Sequence, residues 1–190
     1  MKILIADDES IIRMGLKAML NEMGHQVLAA ANGREALHMA RAHHPDLAIL
    51  DIKMPYTDGL NAAKTLARTQ PLPILLLTAF SERDLIEKAT DLPIQGYLIK
   101  PIKPEELAAA IAVARKRFAD AQQLSQRAAQ LEETLETRKL VDRAKGILMA
   151  GGLTEEQAYR ALQQTARANR QTIRDAARAV IKQNNARSEH

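Results

Sequence analysis

An acidic pair (Asp7-Asp8), a separate Asp51, a hydroxyl at Thr78 and an ammonium at Lys100 are the side chains of this sequence best suited to handle a phosphoryl group. A carboxylate can attack phosphorus and form an acyl phosphate. Two or three carboxylates together also suit Mg²⁺, which takes oxygen ligands and keeps several waters. The transferring group is highly anionic, so the rest of the catalysis is positioning and positive charge. A hydroxyl and an ammonium supply both. Each residue has a plainer role open to it alone: an Asp caps a helix, a Thr packs, a Lys is solvated. No His stands near a Ser in a pattern that supports a hydrolase triad; His43 and His44 fall at a helix end and His190 is the last residue.

The elements that must position these groups give the set its weight. Four short apolar runs, residues 2–6, 47–50, 73–77 and 95–99, end respectively in Asp7-Asp8, Asp51, Thr78-Ala79 and Lys100-Pro101. Continuous apolar runs of this length suit strands covered on both faces, as in a parallel sheet. In open α/β sheets the reacting groups lie just past the carboxyl ends of the strands. A further strand is predicted over 26–31. Between the strands the spacing predicts helices. The first, over 10–23, has Ile11, Ile12, Leu16, Met19, Leu20 and Met23 on its apolar face and stops at Gly24. The second is capped by Asn32 with Glu35 three residues on and runs to about 44. The third, over 60–68, follows Met54-Pro55 and Asp58-Gly59. The fourth runs from Ser81-Glu82-Arg83-Asp84 to about 90, and the fifth starts at Pro104-Glu105-Glu106. Five strands alternating with five helices predict an α/β fold with a five-stranded, doubly wound parallel sheet.

The fifth helix continues to about 136. Leu107, Ile111, Ala114, Phe118 and Ala121 repeat at 4-3-4-3 spacing, and Leu124, Ala128, Leu131 and Leu135 resume it after a slip of one residue. The second half carries only a narrow apolar seam among Gln, Arg and Glu, which predicts a long coiled-coil-like helix. A two-chain coil is favoured over a solvated linker, because a lone helix this polar has little to pack on. Three short helices are expected beyond Thr137. The first buries Leu140, Val141, Ala144, Ile147 and Leu148 and ends at Gly151-Gly152. The second opens on a capping box, Thr154 to Gln157, and buries Ala158, Leu162 and Ala166. The third starts at Thr172 and buries Ile173, Ala176, Ala177, Val180 and Ile181. The expected organisation is therefore a domain over 1–120, a coiled-coil linker helix over 121–136, and a small all-α domain over 137–190.

Charge divides the chain the same way. Residues 1–120 carry 15 Lys/Arg and 15 Asp/Glu, whereas residues 121–190 carry 12 and 8 and so hold the whole net charge of +4. Between 157 and 187 seven basic residues face one acid, Asp175. That asymmetry points to a polyanion at the C-terminal end. The absence of Cys excludes a disulfide framework, a thiolate nucleophile and any Cys-based metal site. No apolar run approaches the roughly 20 residues of a membrane helix, and a charge at Asp7 breaks any signal-peptide pattern. A cytoplasmic location without membrane contact is expected.

Residues 1–120 closely resemble the CheY-like receiver domain of two-component response regulators, a flavodoxin-like fold. The match is carried by Asp7-Asp8, Asp51, Met54-Pro55, Thr78-Ala79 and Lys100-Pro101. The resemblance implies that a sensor histidine kinase phosphorylates Asp51, with Thr78 and Lys100 assisting. It implies that Asp7, Asp8, Asp51 and the main-chain carbonyl of Lys53 hold Mg²⁺. It also implies that Thr78 and Tyr97 form a switch pair and that the bond before Pro101 is cis. Apart from this phosphoryl transfer to and from Asp51, no enzyme activity is expected.

Residues 137–183 resemble the ANTAR module of transcription antitermination regulators. The match runs through residues 144–149, then Gly152-Leu153-Thr154-Glu155, Ala158-Tyr159 and Leu162-Gln163. The family implies binding of paired stem-loop RNA in leader transcripts to prevent premature termination. Arg174, Arg178 and Lys182, at i, i+4 and i+8, form one cationic face, and Arg160 and Arg167 another; Arg138, Lys139, Arg143, Lys145 and Arg170 are further candidate RNA contacts. Tyr159 is the aromatic available for base stacking, so recognition leans on phosphate contacts and loop shape. The leading expectation is a phosphorylation-controlled RNA-binding antiterminator that forms a homodimer on phosphorylation. Two others stay open: a DNA-binding transcription factor, and a regulator whose basic tail docks on an acidic protein.

Overall fold

The computed structural model describes residues 1–79 and 93–188. Five parallel strands form one sheet: β1 (Lys2–Ala6), β2 (Gln26–Ala30), β3 (Leu47–Asp51), β4 (Ile74–Thr78) and β5 (Gly96–Ile99), in the order β2-β1-β3-β4-β5. The described helices are α1 (Ser10–Glu22), α2 (Gly33–His43), α3 (Gly59–Thr69), α4 (Pro104–Ala150), α5 (Glu155–Ala168) and α6 (Ile173–Ser188). The helix expected over 81–90 lies outside the described residues. Two compact units result, Met1–Gln122 and Gln123–His190.

The doubly wound sheet follows from strand patterning. Side chains alternate faces along a strand, and here both faces are apolar. Leu4, Ala6, Ala48, Leu50, Ile74 and Leu76 meet the helix residues Ala36, Ala40, Ala62 and Leu66 on one side. Ile3, Ile5, Leu47, Ile49, Leu75 and Leu77 meet Leu16, Leu20, Leu107, Ile111 and Ala114 on the other. Each fully buried Leu or Ile contributes about 1.5–3 kcal/mol of transfer free energy, which fixes the register of every strand. Asn32 caps α2, its Oδ1 accepting from Glu35 N at 2.9 Å, and Asp58 caps α3 through Asn61 N at 2.7 Å. These caps pin the turns beside the sheet's carboxyl edge.

Two expectations are corrected. Ile11, placed by spacing on the apolar face of α1, is 82% exposed, because Leu16 and Leu20 already fill the sheet side of that helix. The break expected near Thr137 does not exist: α4 runs unbroken from Pro104 to Ala150. No Pro or Gly interrupts it between 105 and 145. The change of pattern marks a change in what the helix packs on, not a change of backbone. Strand ends also move by a residue, so that Asp51 and Thr78 belong to their strands.

In the second unit the end of α4 supplies the first of the three expected helices. Val141 and Ala144 pack with Leu162 of α5 and with Ala177 and Ile181 of α6. The helix stops where Gly152 takes a left-handed φ of +97° and its N–H reaches Met149 O at 2.9 Å. Thr154 and Gln157 form the predicted reciprocal capping box at the start of α5. This core is Ala-rich and thin beside that of the sheet.

Candidate functional site

Sheet order builds the site. The chain passes from β1 outward to β2 and returns to β3 on the other side, so the connections that leave the paired strands β1 and β3 diverge at their carboxyl ends. Such a switch point opens a crevice where ligands bind. Asp7 follows β1, Asp51 ends β3, Thr78 ends β4 and Lys100 follows β5. The carboxylate oxygens of Asp7, Asp8 and Asp51 come within 4.8 Å of one another. Lys100 Nζ lies 2.8 Å from Asp7 Oδ2 and 3.0 Å from Asp51 Oδ1. The Lys100–Pro101 bond is cis, as the receiver resemblance implies.

Burial gives this cluster its character. Asp7 and Thr78 are fully buried and Asp51 nearly so, while Asp8 stands in solvent. Burial pushes the Asp51 carboxyl up to about 6; the Lys100 ammonium opposes that shift, and the charges of Asp7 and Asp8 add to it. Burial by itself lowers the Lys100 pKa, but its bonds to Asp7 and Asp51 outweigh this and hold it above the usual lysine range. Lys100 is therefore a permanent cation and Asp51 a carboxylate that can still titrate. Asp7 Oδ2 is sealed from solvent and meets the Lys100 ammonium at 2.8 Å. One ammonium facing three carboxylates leaves negative charge uncompensated, and a hard divalent cation fits that deficit. Lys53 and Asp8 border one cleft with Asp58.

Three supporting residues are not among those expected at the site, although Asp58-Gly59 reads as a loop in the sequence. Arg13, one turn into α1, donates through Nη1 to Asp7 O at 2.7 Å and Asp8 O at 3.3 Å, fixing the backbone of the acidic pair. Glu9 reaches Lys100 Nζ at 3.4 Å, and its N–H donates to Asp7 Oδ1 at 2.9 Å. Gly59 lies so close to β3 that a Cβ there would collide with Asp51 O, so only Gly lets α3 begin beside the phosphoryl-acceptor candidate. Lys100 N donates to Thr78 O at 2.9 Å, joining the last two strand ends. Tyr97, the proposed partner of Thr78, sits on β5 half exposed.

The basic residues of the second unit are distributed differently. Arg143, Arg160, Arg167, Arg170, Arg178 and Lys182 are exposed. Arg138, Lys139, Lys145, Arg160 and Arg174 each meet an acid of the chain itself. Lys145 is held from both sides, 3.0 Å from Asp142 and 2.9 Å from Glu155, which ties α4 to the start of α5. Arg174 and Arg178 line one groove with Arg138, Lys145 and Tyr159, whereas Lys182 does not. The expected faces are thus only partly assembled: Arg174 and Arg178 share a surface with a face of α4, and Arg160 and Arg167 stay on α5.

Residues 3–112 match the family model of the response regulator receiver domain and residues 129–181 that of the ANTAR domain. The chain is a response regulator. It belongs to the members that join a receiver to an ANTAR domain. The transcriptional regulatory protein PdtaR of Mycobacterium tuberculosis is 44% identical over 182 residues, covering 95% of this chain and 89% of that protein. The probable transcriptional regulator ycf27 of Galdieria sulphuraria is 40% identical over 118 residues, 61% of this chain and 46% of that protein. Among solved structures, a response regulator receiver domain protein from Clostridium thermocellum superimposes with a TM-score of 0.58 at 31% identity, over 61% of this chain and 94% of its own. The chemotaxis protein CheY4 of Vibrio cholerae gives a TM-score of 0.55 at 32% identity, over 58% and 95%. In this response regulator the acidic cluster and Lys100 lie in the receiver, and the basic groove lies in the ANTAR domain. No described helix is long and apolar enough to cross a membrane.

Proposed function

We propose that this response regulator is switched by phosphorylation of Asp51 and that its ANTAR domain then binds stem-loop RNA in leader transcripts and promotes antitermination in the cytoplasm. The observation that carries the receiver half is the ion pair of a buried carboxylate with a partly buried ammonium at 3.0 Å, at a switch point of the sheet. One Asp51 oxygen attacks the phosphorus of a phosphohistidine on a sensor kinase. The phosphorus–nitrogen bond breaks, and the electron pair leaves on the imidazole, which takes a proton. Lys100, freed from Asp51 as that oxygen becomes the bridging oxygen of an acyl phosphate, turns its ammonium to a phosphoryl oxygen. The Thr78 hydroxyl, one strand over, donates to another. Asp7, Asp8, Asp51 and the carbonyl of Lys53 would hold Mg²⁺, which supplies charge neutralisation on the phosphoryl oxygens. Arg13 keeps the acidic pair in place. No other enzyme activity is proposed.

Dimerisation is the link we propose between the two units. Leu124, Leu131 and Leu135 on α4 are 70%, 65% and 57% exposed in the single chain, a row of apolar side chains with a coiled-coil repeat. A second copy in parallel covers it. Two ANTAR domains held together then engage paired stem-loops with a gain from effective concentration.

The RNA reading is tested by titrating the full chain with a stem-loop RNA and with duplex DNA across a salt series. Phosphate contacts release counterions, so log affinity should fall with log salt by roughly 0.7 per contact for unpaired RNA. Stem-loop RNA should bind more tightly than duplex DNA at every salt concentration. Equal affinities throughout would replace this reading with that of a DNA-binding factor.

A further inference from the structure

Most basic residues of the ANTAR domain that meet an acid do so locally: Arg138–Asp142, Lys139–Glu136 and Arg160–Glu156 are three or four residues apart on one helix. Arg174–Glu133 is not. It spans 41 residues, from α6 to α4, at 3.0 Å. It also lies in a groove of about 720 Å³, lined by Arg138, Lys145, Tyr159, Arg174 and Arg178. That volume is in the range of small-molecule sites, roughly 300–1,000 Å³, and admits a nucleotide.

The state of Arg174 points to what the groove is for. A guanidinium has five N–H donors in a rigid fork. Here Nη1 serves Glu133, while Nε–H is closed from solvent and finds no acceptor among the described residues. Glu133 itself is mostly exposed. The other groove acids are committed elsewhere: Asp175 accepts from Thr172 Oγ1 at 2.6 Å at the start of α6, and Asp142 holds Lys145. Glu133 pairs with Arg174 alone among the described residues, so it can withdraw at the cost of that one ion pair. Its carboxylate is a monoanion with two acceptor oxygens, as is a phosphodiester. Beside it Tyr159 offers a ring for a base to stack on, and Arg178 a second cation for the next phosphate.

We propose that this groove seats one unpaired nucleotide of the RNA loop, and that Glu133 occupies Arg174 as an internal substitute for its phosphate until RNA displaces it. The proposal rests on the RNA-binding reading above. The groove thereby keeps Arg174 oriented before RNA arrives, and it sets a competition that a weaker polyanion loses.

A double-mutant cycle on the full chain tests this by fluorescence anisotropy with a labelled stem-loop RNA, each variant first checked by thermal melting. Glu133→Gln should tighten binding about two- to fivefold, the scale of an exposed ion pair. In an Arg174→Gln background the same change should have no effect, because the cation it competes for is gone. Tyr159→Leu should weaken binding without altering the salt slope. An equal gain from Glu133→Gln in both backgrounds, or a loss of affinity in a folded Glu133→Gln variant, would overturn the proposal while leaving RNA binding intact. Polyglutamate of matched charge that displaces RNA as well as RNA itself does would reassign the groove to an acidic protein. A wild type that ignores RNA altogether removes both the groove proposal and the reading beneath it.

Discussion

The receiver and the ANTAR domain handle charge in opposite ways. In the receiver three carboxylates and one ammonium converge from three strand ends, and the innermost of them are sealed from water. In the ANTAR domain the cations are spread over three helices, mostly exposed, and each ion pair is local or reaches one neighbour. A buried charge is expensive unless paired, so its position is tightly specified by the fold. An exposed charge costs little, so the fold leaves its partner open. The first arrangement does chemistry at one point, and the second meets an extended polyanion.

Removing a cation from each region sharpens the contrast most. Lys100→Met leaves Asp7 and Asp51 without their shared counter-ion and should lower stability by on the order of 3 kcal/mol in metal-free buffer. Mg²⁺ should restore part of that loss. Arg160→Met, on an exposed pair, should leave the urea midpoint unchanged. Similar midpoints for the two variants would contradict the contrast.

The two cores differ as well. Leu162→Ala opens the thin ANTAR core and should cost about 3 kcal/mol. The domain should lose cooperative melting and RNA binding, while the receiver still takes phosphate from a small acyl phosphate donor at the wild-type rate. Loss of labelling would show that the units do not fold independently.

The fold is most legible in the sequence where burial enforces pattern. Double-sided apolar strands announced the sheet and the gathering of Asp7, Asp51, Thr78 and Lys100 at its carboxyl edge, because a parallel sheet admits few other solutions. Arg13 and Glu9 stayed hidden, since an Arg or Glu near a helix start has the same local pattern whether or not it braces a backbone. The continuity of α4 was hidden for a different reason: hydrophobic spacing reports the environment of a helix, and that environment changes near Thr137 while the backbone does not. The basic residues of the tail were legible as a charge excess. Which of them share a groove with Tyr159 was not, because that depends on how α6 crosses α4.

A smaller effect concerns pH. Asp51 is the nucleophile only when ionised, and burial raises its pKa to about 6. Labelling should be complete above pH 7 and fall as the pH drops through about 6 when Mg²⁺ is limiting. Saturating Mg²⁺ favours the carboxylate, so the fall should move to lower pH. A profile flat to pH 4.5 in limiting Mg²⁺ would show that Asp51 is not held in the protonated range.

The smallest structural change tests the exposed seam. Leu131→Lys with Leu135→Lys should leave the melting of the receiver unaltered and keep the chain monomeric after phosphorylation. By sedimentation, the phosphorylated wild type should have twice that mass. The same mass for both removes the coiled coil from the account.

The measurement that bears most directly on the whole is RNA affinity as a function of Asp51 phosphorylation in the intact chain. With Mg²⁺ and a small acyl phosphate donor, the wild type should bind a paired stem-loop RNA at least tenfold more tightly than without the donor, a difference of about 1.4 kcal/mol. Asp51→Asn should show one affinity under both conditions. An unchanged wild-type affinity despite stoichiometric phosphorylation, or the same gain in Asp51→Asn, would contradict phosphorylation control of RNA binding.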